Sequence, residues 1–237
     1  MDKPVYGRVL VKISGEALAG EKKTGFDFEF VSEVCRTLKR CVDGGVQVGV
    51  VIGGGNFWRG VKDGAGKVER VSADRMGMLA TAMNCLAVCD VFKQIGAKAR
   101  IMTAVDIQGV GERFDKRKSI EYLEDGQIVL FACGTGSPYF STDTAAVLRA
   151  LEIEAEAILL AKNIDGVYSD DPRRNPDAVK FDAISYDEVL ARHLAVMDTT
   201  ATSLAMDNRI PVEVFALAEP DNILRVLRGE KIGTSVS

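Results

Sequence analysis

Three stretches of this sequence place glycines beside cations or hydroxyls where an apolar run ends. They are Lys12-Ile13-Ser14-Gly15, Gly53-Gly54-Gly55 with Arg59, and Gly134-Thr135-Gly136 running on through Ser137, Pro138, Tyr139, Phe140, Ser141 and Thr142. Glycine allows close backbone approach to a ligand, so that amide N–H groups can face anionic oxygens. In the third stretch Ser141, Thr142 and Asp143 stand just before Ala145-Ala146-Val147-Leu148, as capping residues of a helix whose free amides and positive dipole end face the loop. Phosphate is the usual anion at such a turn. The hydroxyls, proline and two aromatics of this loop suit a ligand with a polar edge and a flat ring, such as a phosphorylated nucleoside. The competing reading is a strand-to-helix turn whose polar residues only cap.

Lys12 lies near the carboxyl end of a predicted strand, Val9 to Ile13, and a lysine there points into the crevice where open α/β sheets bind ligands. Arg59 offers a planar fork that suits phosphate oxygens. A further loop, Lys162 to Pro172, mixes a lysine, Asn163, Tyr168 and Asp171, and suits an adenine ring with its ribose; a solvated turn is the alternative. Asp74 falls in the first turn of a helix predicted from Ser72, where it either favours the dipole or holds a ribose hydroxyl. So many anion sites fit two phosphate-bearing ligands facing each other. Phosphoryl transfer asks for alignment and neutralisation of the moving charge, which lysines, amides and magnesium supply. The chain has no GxxxxGKS/T, so it is no P-loop kinase, and no GxGxxG follows a strand.

These residues must be carried by elements, and apolar runs mark them. Gln47–Ile52, Ala99–Ala104, Ile128–Ala132, Ala157–Leu160 and Val212–Ala216 read as strands in addition to Val9–Ile13. Between them the period is helical. From Asp27 a helix buries Phe28, Val31, Cys35, Leu38 and Val42 until Gly44-Gly45, and the helix from Ser72 to Gly96 carries Met76, Leu79, Ala80, Met83, Leu86 and Ala87 inward. Asp115–Glu124, the segment after Ser141, Ser185 with its Glu188 capping box, Asp198-Thr199-Thr200 and Asn222–Leu227 supply further helices, and Thr234–Val236 is a small end segment. Alternation throughout, with no repeat or long linker, predicts one domain over residues 1–237: a mostly parallel sheet with helices on both faces.

Composition narrows the partner. With 237 residues, 47% hydrophobic and 27% charged, a net charge of -4 and a pI near 5.3, the chain has no basic footprint for nucleic acid or an anionic membrane. No stretch approaches the roughly 18 uninterrupted apolar residues that span a bilayer, and a cytoplasmic location is expected. Cysteines 35, 41, 85, 89 and 133 read as reduced buried thiols, and His193, the single histidine, excludes a multi-histidine zinc site.

KISGEAL, VVIGGGNFWRG, ADRMGMLAT, GTGSPYFSTD, DGVYSDDP and MDTTA follow one another across nearly the whole chain. In that order they resemble the bacterial uridylate kinases of the amino acid kinase family. The resemblance implies a three-layer α/β/α sandwich, transfer of the ATP γ-phosphate to UMP giving UDP and ADP in pyrimidine nucleotide biosynthesis, Mg2+ accompanying ATP, and a homohexamer. Position by position, it implies Lys12, Ile13, Ser14 and Gly15 on the ATP phosphates with Gly55 and Arg59 beside them, and Lys162 or Asn163 with Tyr168 and Asp171 at the ATP base and ribose. It implies UMP held by Gly54, Asp74, Thr135, Gly136, Ser137, Pro138, Tyr139, Phe140, Ser141 and Thr142, with Asp74 on the ribose. The resemblance further implies Lys12, Arg59, Asp143 and Asp198 as the catalytic set, the two acids orienting Lys12 or water on magnesium; no residue is expected to ligate metal directly. A plain helix cap is the alternative for Asp198. Gly20, Glu21, Lys22, Lys23, Thr24 and Gly25 match a segment linked in the family to activation by GTP, and UTP is the implied inhibitor. The rivals are a carboxylate or carbamate kinase of the same fold, and a nucleotide-binding or storage protein without turnover.

Overall fold

β1 (Arg8–Ile13) reads RVLVKI, and every residue after Arg8 is buried. Such continuity belongs to a strand covered on both faces. In the computed structural model, which describes residues 4–59 and 66–237, β1 pairs in parallel with β2 (Gln47–Ile52) on one side and β6 (Ala157–Lys162) on the other. β2 leads on to β5 (Ile128–Ala132), β3 (Ala99–Thr103) and β4 (Glu112–Arg113), while β6 leads on to β10 (Val212–Ala216), β11 (Thr234–Val236) and β9 (Ala183–Ile184). Only β11 runs antiparallel to its neighbour β10 within this sheet. A separate antiparallel pair, β7 (Val167–Tyr168) with β8 (Lys180–Phe181), lies in the loop after β6.

Side chains alternate along a strand, so β1 divides the core into two. Val9, Val11 and Ile13 join one cluster with α2 (Phe28–Asp43), α3 (Arg70–Gln94) and α8 (Asn222–Leu227). Leu10 joins the other with α4 (Lys116–Glu124), α5 (Thr142–Glu152), α6 (Tyr186–Ala191) and α7 (Thr199–Asp207). The result is three layers, as expected. α1 (Gly15–Leu18) is a single turn that sequence periodicity missed, and Gly20–Lys22 forms a 3-10 turn.

Three expectations need correction. α3 begins at Arg70 rather than Ser72, which puts Asp74 in its second turn and removes the dipole argument for it. Its inward face is Ala73, Ala80, Cys85, Val88 and Phe92, whereas Met76, Leu79, Met83 and Leu86 point outward and are 40 to 52% exposed. The helix is apolar on both sides, so its period could not say which side meets the sheet. It is also long and apolar enough to cross a membrane, but half of the qualifying stretch is buried in this core. Phe28 likewise lies outside the core, against Phe26 at a centroid distance of 5.2 Å. All five cysteines are free and buried, as expected.

Candidate active site

The carboxyl ends of β1, β2, β5 and β6 open on one rim, where the strand order turns outward in both directions from β1. Sheets of this type bind ligands there. Lys12 follows Leu10 on the β1 face that α5 covers, and Asp143 sits in the first turn of α5. Lys12 Nζ lies 2.6 Å from Asp143 Oδ1, with both side chains largely buried. Such a pair, drawn out of water, is sensitive to loss of either partner.

Two helix N-termini meet beside this pair. Ser141 caps α5, its hydroxyl accepting from the Asp143 and Thr144 amides at 3.0 and 3.1 Å, and Asp198 caps α7, accepting from the Ala201 amide at 2.9 Å. The Ser141 hydroxyl also donates to Asp198, and Thr144 Oγ1 lies 3.4 Å from the same carboxylate. Asp198 is therefore a helix cap and, in addition, a strut between the two helices.

β6 runs two residues further than its apolar pattern suggested, and Lys162 is its last residue. Lys162 Nζ donates to the carbonyls of Val196 and, at 3.3 Å, Ala195, just ahead of Asp198. Burial pushes its pKa below the ordinary lysine value, with Asp143 opposing the shift and Lys12 adding to it.

Glycine is required where the loops touch. A Cβ on Gly15 would lie 2.2 Å from the Gly53 carbonyl oxygen, and one on Gly54 would lie 2.9 Å from the Gly77 carbonyl of α3. Asn56 and Asn84 exchange hydrogen bonds at 2.9 and 2.8 Å beneath this loop, and Asn56 Nδ2 also donates to the Gly25 carbonyl at 2.9 Å. The exposed 20–24 stretch is thus fastened to the glycine loop at its Gly25 end. Arg59 pairs with Glu16 at 2.9 Å and reaches back to the Gly55 carbonyl at 3.4 Å.

Three clefts open along the rim. The first, about 250 Å³, is lined by Gly54, Gly55, Arg59, Asp74, Phe140, Ser141 and Thr142, with Trp58, Gly134 and the α3 residues Ala73, Gly77, Met78 and Thr81. The second, about 290 Å³, is lined by Lys12, Ser14, Lys162, Asn163, Asp171, Ile164 and Arg173. The third, about 340 Å³, shares Ile164 and Asp171 and adds Tyr168, Arg192 and His193 among others. Ile13 is buried and contributes its backbone, accepting from the Gly53 amide at 2.9 Å. Thr135, Gly136, Ser137, Pro138 and Tyr139 form the outer turn of the loop between β5 and α5 and do not line the first cleft. Sequence reasoning missed Arg70, Trp58, Arg173 and His193; only the Arg70–Asp74 spacing, one helical turn, carried a signal.

Among the described residues no group of three or more acids, histidines or cysteines is placed to hold a metal. The rim gathers helix-start amides, Lys12, Lys162 and Arg59, with the carboxylates of Asp143 and Asp198 beside them.

Comparison with known proteins agrees with that chemistry. Residues 7–216 match the amino acid kinase family. Uridylate kinases from two strains of Streptococcus thermophilus are 52% identical over 238 residues, covering 100% of this chain and 97% of each relative. The crystal structure of UMP kinase from Bacillus anthracis superposes with a TM-score of 0.94 at 35% identity, covering 98% of this chain and 96% of that one. That of Ureaplasma parvum UMP kinase gives 0.92 at 34% identity and covers both chains completely. Uridylate kinase from Archaeoglobus fulgidus is more distant, with a TM-score of 0.75 at 27% identity over 97% of this chain and 99% of its own. With residues 7–216 matched by the family model and uridylate kinases 52% identical over the full length, the chain belongs to the amino acid kinase family.

Proposed function

We infer that this chain is a nucleoside monophosphate kinase that transfers the γ-phosphoryl group of ATP to UMP, giving UDP and ADP. The observation that carries the reading is the place of the Lys12–Asp143 pair: Lys12 lines the second cleft, while Asp143 directly follows Thr142 of the first. A charged pair at the junction of two anion-binding clefts is where a phosphoryl group would pass between nucleotides.

The first cleft takes UMP, with Gly54, Phe140, Ser141 and Thr142 in its wall around phosphate and uracil, Thr135 to Tyr139 as the outer turn of the same loop, and Asp74 on the ribose. The second takes the ATP phosphates, with Lys12 and Ser14 in its wall, Ile13 and Gly15 continuing the same segment, and Gly55 and Arg59 assigned to those phosphates from the wall of the first cleft. The third takes the base and ribose, bounded by Tyr168 and Asp171, with Asn163 between. Lys12 neutralises charge that grows on the moving group, and Arg59 aligns the donor. Asp143 holds the Lys12 ammonium in place, and Asp198 holds the helix start that faces the acceptor.

Magnesium fits this site as a companion of ATP rather than as a resident ion. The carboxylates of Asp143 and Asp198 beside Lys12 would orient the waters of an ion that rides on substrate phosphates. When bound it supplies charge neutralisation across the donor phosphates.

A single domain over residues 1–237 is supported by one sheet that runs from Arg8 to Val236. The outward apolar row of α3, Met76, Leu79, Met83 and Leu86, supports a homohexamer in that such a row suits a subunit contact. GTP as activator through Gly20–Gly25 belongs to the reading, supported by the Gly25–Asn56 link to the glycine loop, and UTP as inhibitor comes with it from the family resemblance alone. A cytoplasmic location goes with a nucleotide-consuming reaction and buried free thiols.

An acceptor panel with ATP tests the function. UDP from UMP, with acetylglutamate, aspartate and carbamate inert, is the expected result. Preference for a carboxylate or carbamate would replace the reading with its nearest rival, and binding without turnover would make the chain a nucleotide-holding protein.

A further inference from the structure

Arg70 stands outside the first cleft yet grips both sides of its entrance. Its Nε lies 2.9 and 2.8 Å from the two carboxylate oxygens of Asp74, one helical turn on. Its guanidinium also lies over the Tyr139 ring, 5.2 Å from the centroid, and the Tyr139 amide donates to Asp74 Oδ2 at 2.8 Å. Tyr139 adopts a φ of 70°, a costly backbone state for a bulky residue. The three residues form a closed triangle that ties α3 to the loop between β5 and α5. Arg70 is 45% exposed at its side chain, whereas that of Asp74 is only 14% exposed and lines the cleft.

An ionised carboxylate only accepts hydrogen bonds, and it has about four lone-pair directions. In Asp74 the single Arg70 Nε–H is shared between Oδ1 and Oδ2 and the Tyr139 amide donates to Oδ2, which leaves an acceptor direction on Oδ1. Among the parts of UMP, the ribose hydroxyls are the flexible donors that meet such an oxygen. A carboxylate clamped on its outer edge cannot turn to compensate when a hydroxyl is missing, and a site built around a hydroxyl rejects the analogue that lacks it. We propose that Arg70 is a positioning residue for the acceptor nucleotide, and that by fixing Asp74 and Tyr139 it sets the preference for a ribose over its deoxy analogues. The inference rests on UMP occupying the first cleft.

Steady-state kinetics with UMP, 2′-deoxy-UMP and 3′-deoxy-UMP test it in the full chain. Arg70→Gln is expected to raise the KM for UMP about tenfold, to leave the KM for ATP within about twofold, and to shrink the preference over the deoxy analogues by about tenfold. Arg70→Lys keeps the charge without the planar edge and should fall between. An Arg70→Gln enzyme with wild-type KM for UMP and wild-type preference overturns the inference, as does an equal rise in both KM values. Asp74→Asn, run in parallel, separates the two levels. If it raises the KM for UMP while Arg70→Gln does not, only the role of Arg70 fails; if it too leaves UMP untouched, the assignment of the cleft to UMP fails as well.

Discussion

The Ser141 hydroxyl donates to the Asp198 carboxylate, so the residue that caps α5 is fastened to the residue that caps α7, although 57 positions separate them. Two positive helix ends are thereby brought to one corner beside Lys12. Charge at such a corner is pre-arranged, and a reaction that moves negative charge into it needs little reorganisation.

Asp198 can be dissected by two substitutions. Asp198→Ala removes the cap of α7 and should cost about 1 kcal/mol of stability, whereas Asp198→Asn keeps a good cap and should melt near the wild type. Both remove the charge that receives the Ser141 hydroxyl, so both should lower kcat. Thermal melts beside kcat values check this; an Asp198→Asn enzyme of full activity would show that Asp198 is a cap and nothing more.

Removing Lys12 leaves the Asp143 carboxylate largely buried without its ion-pair partner. Lys12→Met should therefore cost about 3 kcal/mol of stability, and Lys12→Met with Asp143→Asn should recover most of it. Turnover should stay low in both, by about a hundredfold or more, with the KM for UMP little changed. If the double variant regained activity, the pair would be structural.

Lys162 joins the end of β6 to the carbonyls of Ala195 and Val196. Lys162→Met should lower kcat/KM for ATP about tenfold, and Lys162→Arg should restore part of it. An unchanged kcat/KM for ATP in the methionine variant would remove Lys162 from donor binding.

Burial raises the pKa of Cys35 and Cys41 to about 12 and of Cys133 to about 11, and pushes those of Cys85 and Cys89 up as well. The folded chain thus keeps thiol protons that the unfolded chain loses from about pH 8.5. Stability from this source is full below that pH and declines as pH rises towards the folded values. Denaturant melts at pH 7, 9 and 10 should show the decline. At pH 8 a thiol reagent should label none of the five cysteines until the chain is unfolded.

The layered fold and most of the rim were readable from the sequence because long apolar runs are a strong signal of covered strands, as in Ile128–Ala132. The short strands β4, β7, β8 and β9 have two residues each and left no period to detect. The orientation of α3 was missed for a different reason. Its first turns bury small residues, Ala73 and Ala80, while large apolar ones stand on the opposite side, so Met76, Leu79, Met83 and Leu86 read as core. In the site, local features such as the Ser185 and Ser141 caps were legible. What joins distant segments was not: the Ser141–Asp198 bond, the Asn56–Asn84 exchange and the Arg70–Tyr139 stacking depend on how the layers pack.

The contact between Gly15 and the Gly53 carbonyl bears on any attempt to redesign the enzyme for another nucleotide. Because main chain abuts main chain there, a library that randomises Gly15 would be almost wholly inactive, whatever substrate it was screened with. Variation is better spent on Phe140, half exposed at the mouth of the first cleft, where a change of side chain alters the shape of the opening and leaves the backbone that surrounds it undisturbed.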